Sequence, residues 1–172
     1  MKKFCSIIIP FKNSNLTIKR CLNSILKQKG NINYEVILID DYSSDKTSKT
    51  IKKIIHGKKN FILINSKTKT IGPGHARNIG IKKSNSKYLF FLDSDDFIEN
   101  DALINLKKIV GNKKIDLVCC NYKIQDSIGN FKKKSRFDLK LYSSSKLSII
   151  KNFFELSIVP QVISNLISKN LV

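Results

Sequence analysis

Cys-x-x-Cys pairs are absent. The four thiols, Cys5, Cys21, Cys119 and Cys120, contain no Cys-x-x-Cys spacing, so no zinc-finger or dithiol redox pattern is present. Cys5 and the Cys119-Cys120 pair lie in apolar runs, where a cysteine behaves as a small buried hydrophobe. Long hydrophobic runs are absent as well. No stretch approaches the roughly 18 apolar residues needed to cross a bilayer, and the run after Met1-Lys2-Lys3 is too short for a secretory signal. These absences predict a reducing, cytoplasmic setting. Acid is scarce too, with 13 Asp and Glu against 32 Lys and Arg for a net charge of +19. Arg20, Arg77 and Arg136 are the only arginines. The lysines are spread along the chain, Lys132-Lys133-Lys134 being the densest run, and no RNP-like aromatic pattern accompanies them, so no nucleic-acid partner is expected. Lys, Ile and Asn are abundant together, and that bias is the simpler cause of the charge. The same lysines allow peripheral contact with anionic lipid at the inner membrane face, or attraction to an acidic sugar-phosphate.

What is present suits one folded domain. The 172 residues are 41% hydrophobic and 26% charged, the composition of a globular chain able to bury roughly 70% of its unfolded surface. Phe4 to Ile9 is a continuous apolar run stopped by Pro10, which predicts a strand buried on both faces. Ile18, Cys21, Leu22, Ile25 and Leu26 share one helical face, with Ser14 or Asn15 as its cap and Gly30-Asn31 at its end. Further strands are expected at Val36 to Ile39, Phe61 to Ile64, Tyr88 to Leu92 and Leu117 to Cys120. Helices are expected around Ile51 to Ile55, His75 to Lys83 and Leu103 to Val110. After Asn121 the pattern weakens. Asp126 to Asn130 reads as a turn between two extended pieces, and Ser143-Ser144-Ser145 can cap a last helix carrying Leu147, Ile150 and Phe154. Alternating strands and helices predict an α/β fold with a mainly parallel sheet and helices on both faces. Ligands of such sheets bind at the carboxyl ends of the strands.

Three polar motifs fall at those ends. Asp93-Ser94-Asp95-Asp96 gathers three carboxylates that repel one another and gain nothing from packing. They suit a hard divalent cation, Mn²⁺ or Mg²⁺, bridging the phosphates of a nucleotide diphosphate. A solvated acidic turn capping the next helix is the alternative. In Asp40-Asp41-Tyr42-Ser43-Ser44-Asp45 a carboxylate can accept a hydrogen bond from a uracil imide or a ribose hydroxyl, or the segment is a turn with Asx-type bonds. Gly72-Pro73-Gly74-His75-Ala76-Arg77-Asn78 allows close backbone approach to a ligand and puts Arg77 near a helix start, where a diphosphate is favoured. Alternatively, Arg77 pairs with a carboxylate at the edge of the core.

Taken together, these stretches resemble family 2 glycosyltransferases of the GT-A (Rossmann-like) fold. The matching segments read SIIIPFKN from Ser6, VILIDDYSSDKT from Val36, GPGHARNIG from Gly72 and FLDSDD from Phe91. The resemblance implies a metal-dependent, inverting transferase that uses a nucleotide-diphosphate sugar, a UDP-sugar above all, to build a bacterial surface glycan on a glycan or lipid-linked acceptor. It implies that Pro10, Phe11 and Lys12 line the base and ribose, and that Asp41, with Asp40 beside it, holds the base. Arg77 would sit near the diphosphate or order the acidic cluster. Asp93 and Ser94 would contact the donor, Asp93 also through the metal or its water. Asp95 would be the main metal ligand and Asp96 a substitute.

The chain departs from that pattern after Asp96. Similar enzymes place the acceptor base downstream, in an Asp/Glu pair opening a helix, followed by a basic and aromatic segment. Here Glu99, Asp101, Asp116, Asp126, Asp138 and Glu155 form no such pair, and there is no tryptophan. The segment Asn165 to Leu171 resembles the one preceding the base. The expectation is therefore a nucleotide-sugar-binding core over residues 1–122 and the incomplete start of an acceptor-side region over 123–172. Three other readings are weighed. A nucleotidyltransferase would carry a Gly-rich loop after the first strand, and Pro10 to Asn15 has no glycine. A non-catalytic nucleotide-sugar-binding fragment fits the missing base. A basic nucleic-acid binder leaves the acidic cluster unexplained.

Overall fold

The computed structural model describes residues 2–65, 72–120, 123–126, 129–134, 141–142 and 165–172. Four strands make the parallel heart of a seven-stranded sheet: β1 (Lys3–Phe11), β2 (Tyr34–Asp40), β3 (Phe61–Asn65) and β4 (Ser86–Phe91). β1 lies between β2 and β4, and β3 pairs with the far side of β2. Next to β4 comes β9 (Asn165–Ser168), antiparallel to it, then β5 (Leu117–Cys119) and the two-residue β8 (Leu141–Tyr142). Because β9 is antiparallel to both its neighbours, β5 again runs with β1 to β4. Five of the seven strands thus share one direction, as expected of a mainly parallel sheet.

Both faces of the sheet are apolar because side chains alternate along each strand. Ile7, Ile9 and Phe11 of β1, Val36 and Leu38 of β2, and Tyr88 and Phe90 of β4 point to one face. There they meet Ile18, Leu22 and Ile25 of α1 (Ile18–Leu26), Ile51 of α2 (Thr47–Ile55) and Leu103 and Leu106 of α4 (Ala102–Val110). Ile8, Ile37, Ile39, Leu89 and Phe91 form the opposite face around Ala76 of α3 (Pro73–Lys83). This is why the strand segments read as unbroken hydrophobic runs rather than alternating ones.

Gly80 lets α3 approach the sheet closely. A Cβ there would lie 2.5 Å from Cγ2 of Ile8 and 3.1 Å from Cδ1 of Ile39. Ile8 is β-branched and fully buried, so its methyl cannot swing away cheaply. Gly80→Ala is expected to lose about 1–3 kcal/mol to overpacking, more than alanine's helix propensity returns. A lower urea midpoint at unchanged slope would register it; an unchanged or higher midpoint would refute it.

Several local expectations need correction. Pro10 does not stop β1. The strand runs on to Phe11, with Pro10 opposite Ile39 and Phe11 opposite Asp40. Proline lacks only its own N–H, and its neighbours in the strand still pair. Neither Ser14 nor Asn15 caps α1. The N-cap is Thr17, without a side-chain cap bond, and the Ser14 carbonyl instead accepts the Thr17 and Ile18 N–H groups. α1 ends at Leu26, ahead of Gly30, and its last carbonyls are taken by the Lys27 N–H on Asn23 and the Gln28 N–H on Ile25. By contrast, the two extended pieces expected on either side of residues 126–130 are found: β6 (Lys123–Gln125) and β7 (Phe131–Lys134) pair antiparallel, with the Asp126 N–H on the Asn130 carbonyl. The helix expected around Leu147 to Phe154 lies outside the described residues. None of the described helices is long and apolar enough to cross a membrane.

Candidate donor-binding site

The three motifs meet at the carboxyl ends of adjacent strands. β1 leads into residues 12–17, β2 into residues 41–46, and β4 into the Asp93 to Asp96 turn, with β1 between the other two. The loops after β1 and β2 are laced together. The Asn13 N–H donates to the Ser43 Oγ at 3.1 Å, the Ser44 N–H to the Asn13 Oδ1 at 2.8 Å, and the Asn15 N–H to the Asp45 Oδ2 at 3.2 Å. Thr50 of α2 adds a bond from its Oγ1 to the Asn15 Oδ1 at 2.8 Å. Asp45 also accepts the Thr47 hydroxyl and N–H, which hold its carboxyl below the ordinary aspartate range.

The two acids at the end of β2 have different employment. Asp40 is used within the loop: its Oδ1 accepts the Ser43 N–H at 2.8 Å and its Oδ2 the Ser48 hydroxyl at 2.5 Å. Asp41 is 6% exposed. Its N–H is tied to the Phe11 carbonyl at 2.8 Å, yet its Oδ1 is buried with no hydrogen-bond partner among the described residues. Buried carboxylate oxygens are normally satisfied, because leaving one unpaired costs stability. Of Pro10, Phe11 and Lys12, only Lys12 is exposed; the Phe11 ring belongs to the core.

The acidic turn after β4 is braced from three sides. Arg77, on α3, pairs through Nη2 with the Asp93 Oδ1 at 2.7 Å, while its Nε is buried without a partner among the described residues. Ser94 shares a 2.7 Å hydrogen bond with Ser14 across the β1 loop. Arg20, on α1, donates to the Asp95 carbonyl at 2.6 Å and lies over the Phe97 ring, 5.0 Å from its centroid. Cys21 beneath the turn donates its thiol to the Asp93 carbonyl at 3.7 Å, and burial, with the three aspartates, pushes that thiol up to about 12. Asp95 is exposed and Asp96 half-buried. Burial pushes the Asp96 carboxyl up, and the charges of Asp95 and Asp93 push it the same way, with Arg20 opposing them.

The crowding of these carboxylates and their all-oxygen donor set fit a hard divalent cation. Among the described residues no three acidic, His or Cys side chains are grouped to hold a metal unaided. An open arrangement of that kind suits an ion taking one or two carboxylates and completing its shell with substrate phosphates. α4 starts at Ala102 with Asp101 at its N-cap, so neither Asp95 nor Asp96 occupies that cap.

The bracing roles of Asn13, Ser14, Asn15 and Arg20 are not legible in the sequence, where Ser14 and Asn15 read only as candidate helix caps. Only Asn13 had a usable signal, an asparagine between strand and helix, where left-handed backbone is tolerated; its φ is 48°.

The chain matches the model of glycosyl transferase family 2 over residues 6–170. It is 38% identical over 141 residues to an uncharacterized glycosyltransferase of Haemophilus influenzae, covering 82% of this chain and 53% of that one. It is 33% identical over 176 residues to the poly(ribitol-phosphate) β-N-acetylglucosaminyltransferase TarP of Staphylococcus aureus, covering 99% of this chain and 51% of that one. The chain thus spans about half the length of these two relatives. Among solved structures it resembles S. aureus TarS 1–349 in complex with UDP-GlcNAc, with a TM-score of 0.63, 31% identity, and coverage of 66% of this chain and 33% of that one. The family match over almost the whole chain, on a sheet whose strand ends gather the three motifs, shows that this chain belongs to glycosyl transferase family 2.

Proposed function

We propose that this chain forms the donor-binding part of a metal-dependent, inverting glycosyltransferase that takes a UDP-sugar and serves the building of a bacterial surface glycan. The observation that carries the reading is the unpartnered, buried Oδ1 of Asp41 at the carboxyl end of β2, separated by one strand from the acidic turn after β4. A carboxylate acceptor waiting for an N–H matches the imide edge of uracil. The acidic turn one strand away matches the phosphate end of the same ligand. The relatives support a UDP-sugar: TarS has been solved with UDP-GlcNAc, and TarP is named for β-N-acetylglucosaminyl transfer to poly(ribitol-phosphate).

Each side chain then has a task. Asp41 orients the base, while Asp40 is spent holding the loop that presents Asp41. Lys12, exposed beside them, adds a cation near the ribose-phosphate. Arg77 holds Asp93 in place and offers its remaining N–H donors to the diphosphate, at the start of a helix whose dipole favours an anion. Asp95, backed by Asp96, would hold Mn²⁺ or Mg²⁺. Such an ion neutralises the diphosphate as a leaving group. Ser94 and Ser14 keep the acidic turn in register with the base side.

Calorimetric titration with UDP, then GDP, with and without Mn²⁺, tests this on the unmodified chain and on Asp95→Ala. Metal-dependent binding of UDP in preference to GDP, lost in Asp95→Ala, is the expected result. Binding of neither nucleotide, or equal binding by Asp95→Ala, would overturn it.

A further inference from the structure

Two residues other than glycine adopt left-handed backbone among the described residues, and both lie in the pair of laced loops at the site: Asn13 (φ 48°) and Tyr42 (φ 63°). Asparagine tolerates this conformation because its short amide can bond locally. The Asn13 amide bonds across the two loops, accepting the Ser44 N–H. Tyrosine has no such compensation. A bulky residue at positive φ is an outlier and carries backbone strain that an unstrained residue would not. Glycine at position 42 would adopt the same backbone without that cost.

The strain is not repaid by packing, since Tyr42 is 60% exposed, so its ring is not a core anchor. The turn that holds it is nonetheless stiff. The N–H of the next residue, Ser43, is fixed on the Asp40 Oδ1 at 2.8 Å, and its Oγ receives the Asn13 N–H at 3.1 Å. On the other side stands Asp41, with its buried, unpartnered Oδ1. A flat aromatic ring is therefore held at energetic cost, open to solvent, one residue from the carboxylate to which the base is assigned.

We propose that the Tyr42 ring is a base-recognition element that stacks on the planar heterocycle of the donor nucleotide while Asp41 takes its N–H edge. This rests on the donor-site reading above. Stacking of a base on an aromatic side chain contributes roughly 1–3 kcal/mol by alanine substitution, or about five- to hundredfold in affinity. That gain offsets the backbone strain only when ligand is bound. Strain retained in the free protein and repaid in the complex is a common property of ligand-gripping turns.

The test is UDP titration with Mn²⁺ on the unmodified chain and on Tyr42→Phe, Tyr42→Asn and Tyr42→Gly, alongside inorganic pyrophosphate and thermal midpoints. Tyr42→Phe is expected to bind UDP within about twofold of the unmodified chain, because the ring face is unchanged. Tyr42→Asn and Tyr42→Gly are expected to lose at least fivefold for UDP and nothing for pyrophosphate, while Tyr42→Gly melts higher. Asparagine keeps the turn without the ring, so a loose glycine loop cannot mimic the result. Undiminished UDP affinity in Tyr42→Asn, or an equal loss for pyrophosphate, would overturn the inference alone. Failure of the unmodified chain to bind UDP would overturn the donor-site reading, and this inference with it.

Discussion

Replacing Arg77 by alanine is expected to weaken UDP binding in the presence of Mn²⁺ by about ten- to a hundredfold while lowering stability only modestly. Arg77 offers five donors in a rigid fork. One is engaged with Asp93 at 2.7 Å, and the Nε is buried without a partner. In the proposed donor site the remaining donors face a diphosphate, and loss of hydrogen bonds to a charged group costs about 1.5–3 kcal/mol. The stability cost is smaller because the Asp93 side chain is 33% exposed, so water can replace the guanidinium; about 1 kcal/mol is expected. Arg77→Lys separates charge from geometry. It keeps the cation but cannot hold Asp93 and a phosphate with one planar group, so an intermediate affinity is expected. Calorimetry and a denaturant midpoint on the same preparations distinguish the outcomes. If Arg77→Ala binds UDP as tightly as the unmodified chain, Arg77 is only a brace for Asp93. If its midpoint collapses, the ion pair carries far more of the fold than its exposure suggests.

The legible parts of the chain were those written in local pattern. Ile7-Ile8-Ile9, Val36 to Ile39 and Tyr88 to Leu92 read as strands because both faces of the sheet are covered, which leaves no polar alternation to confuse the period. The Asp93 to Asp96 turn stood out because its carboxylates have no packing reason to cluster. Where an element depends on partners far along the chain, local pattern carries little. β9 is four residues long, and its pairing with β4 and β5 bridges dozens of residues. Nothing in Asn165-Leu166-Ile167-Ser168 announces an antiparallel strand inserted between two others. Pro10 misled for the same reason. Its ring is a local stop signal, yet the bonds made by its neighbours to β2 carry the strand through it.

The candidate site is legible in its carboxylates and not in its bracing. Asp41, Asp93 and Asp95 are conspicuous, whereas Asn13, Ser14 and Asn15 are ordinary loop residues until folding sets them against Ser43, Ser44, Asp45 and Ser94. The hydrogen bonds from Asn13 and Asn15 span about thirty positions and the one from Ser14 spans 80. No window along the sequence contains both ends. Asp40 shows the converse: it is as conspicuous as Asp41, but Ser43 and Ser48 consume both of its oxygens.

A second acid, Glu35, was overlooked because it sits inside an apolar run, and it carries the other large expected effect. Glu35 is 1% exposed at the start of β2, opposite Ser6 of β1. Its Oε1 accepts the Ser6 hydroxyl at 2.5 Å and the Asn85 N–H at 2.8 Å, and its Oε2 accepts the Lys3 ammonium at 2.6 Å. Ser6, Ser84 and Ser86 complete a buried hydroxyl cluster behind it. Glu35→Ala strands these donors and leaves Lys3 without its partner, so a loss of about 3 kcal/mol is expected. Glu35→Gln preserves the shape and an acceptor and should lose less. Burial alone would raise the Glu35 carboxyl, but the bonds from Lys3, Ser6 and Asn85, with the Lys3 charge, together hold it below the ordinary value of 4.5. As pH falls, the unfolded chain takes up this proton before the folded one does. The contribution is therefore full above about pH 4.5 and drains away as pH drops through the lower, folded value. Urea midpoints between pH 7 and pH 3 should fall less steeply for Glu35→Gln than for the unmodified chain. Asp45 titrates alike in both and cancels in the difference. Identical acid profiles would remove Glu35 from the account of acid stability. The cluster lies at the amino ends of β1, β2 and β4, opposite the proposed donor site, so UDP affinity at pH 7 should be the same in both chains, and a matching loss of affinity would show that the two ends of the sheet are coupled.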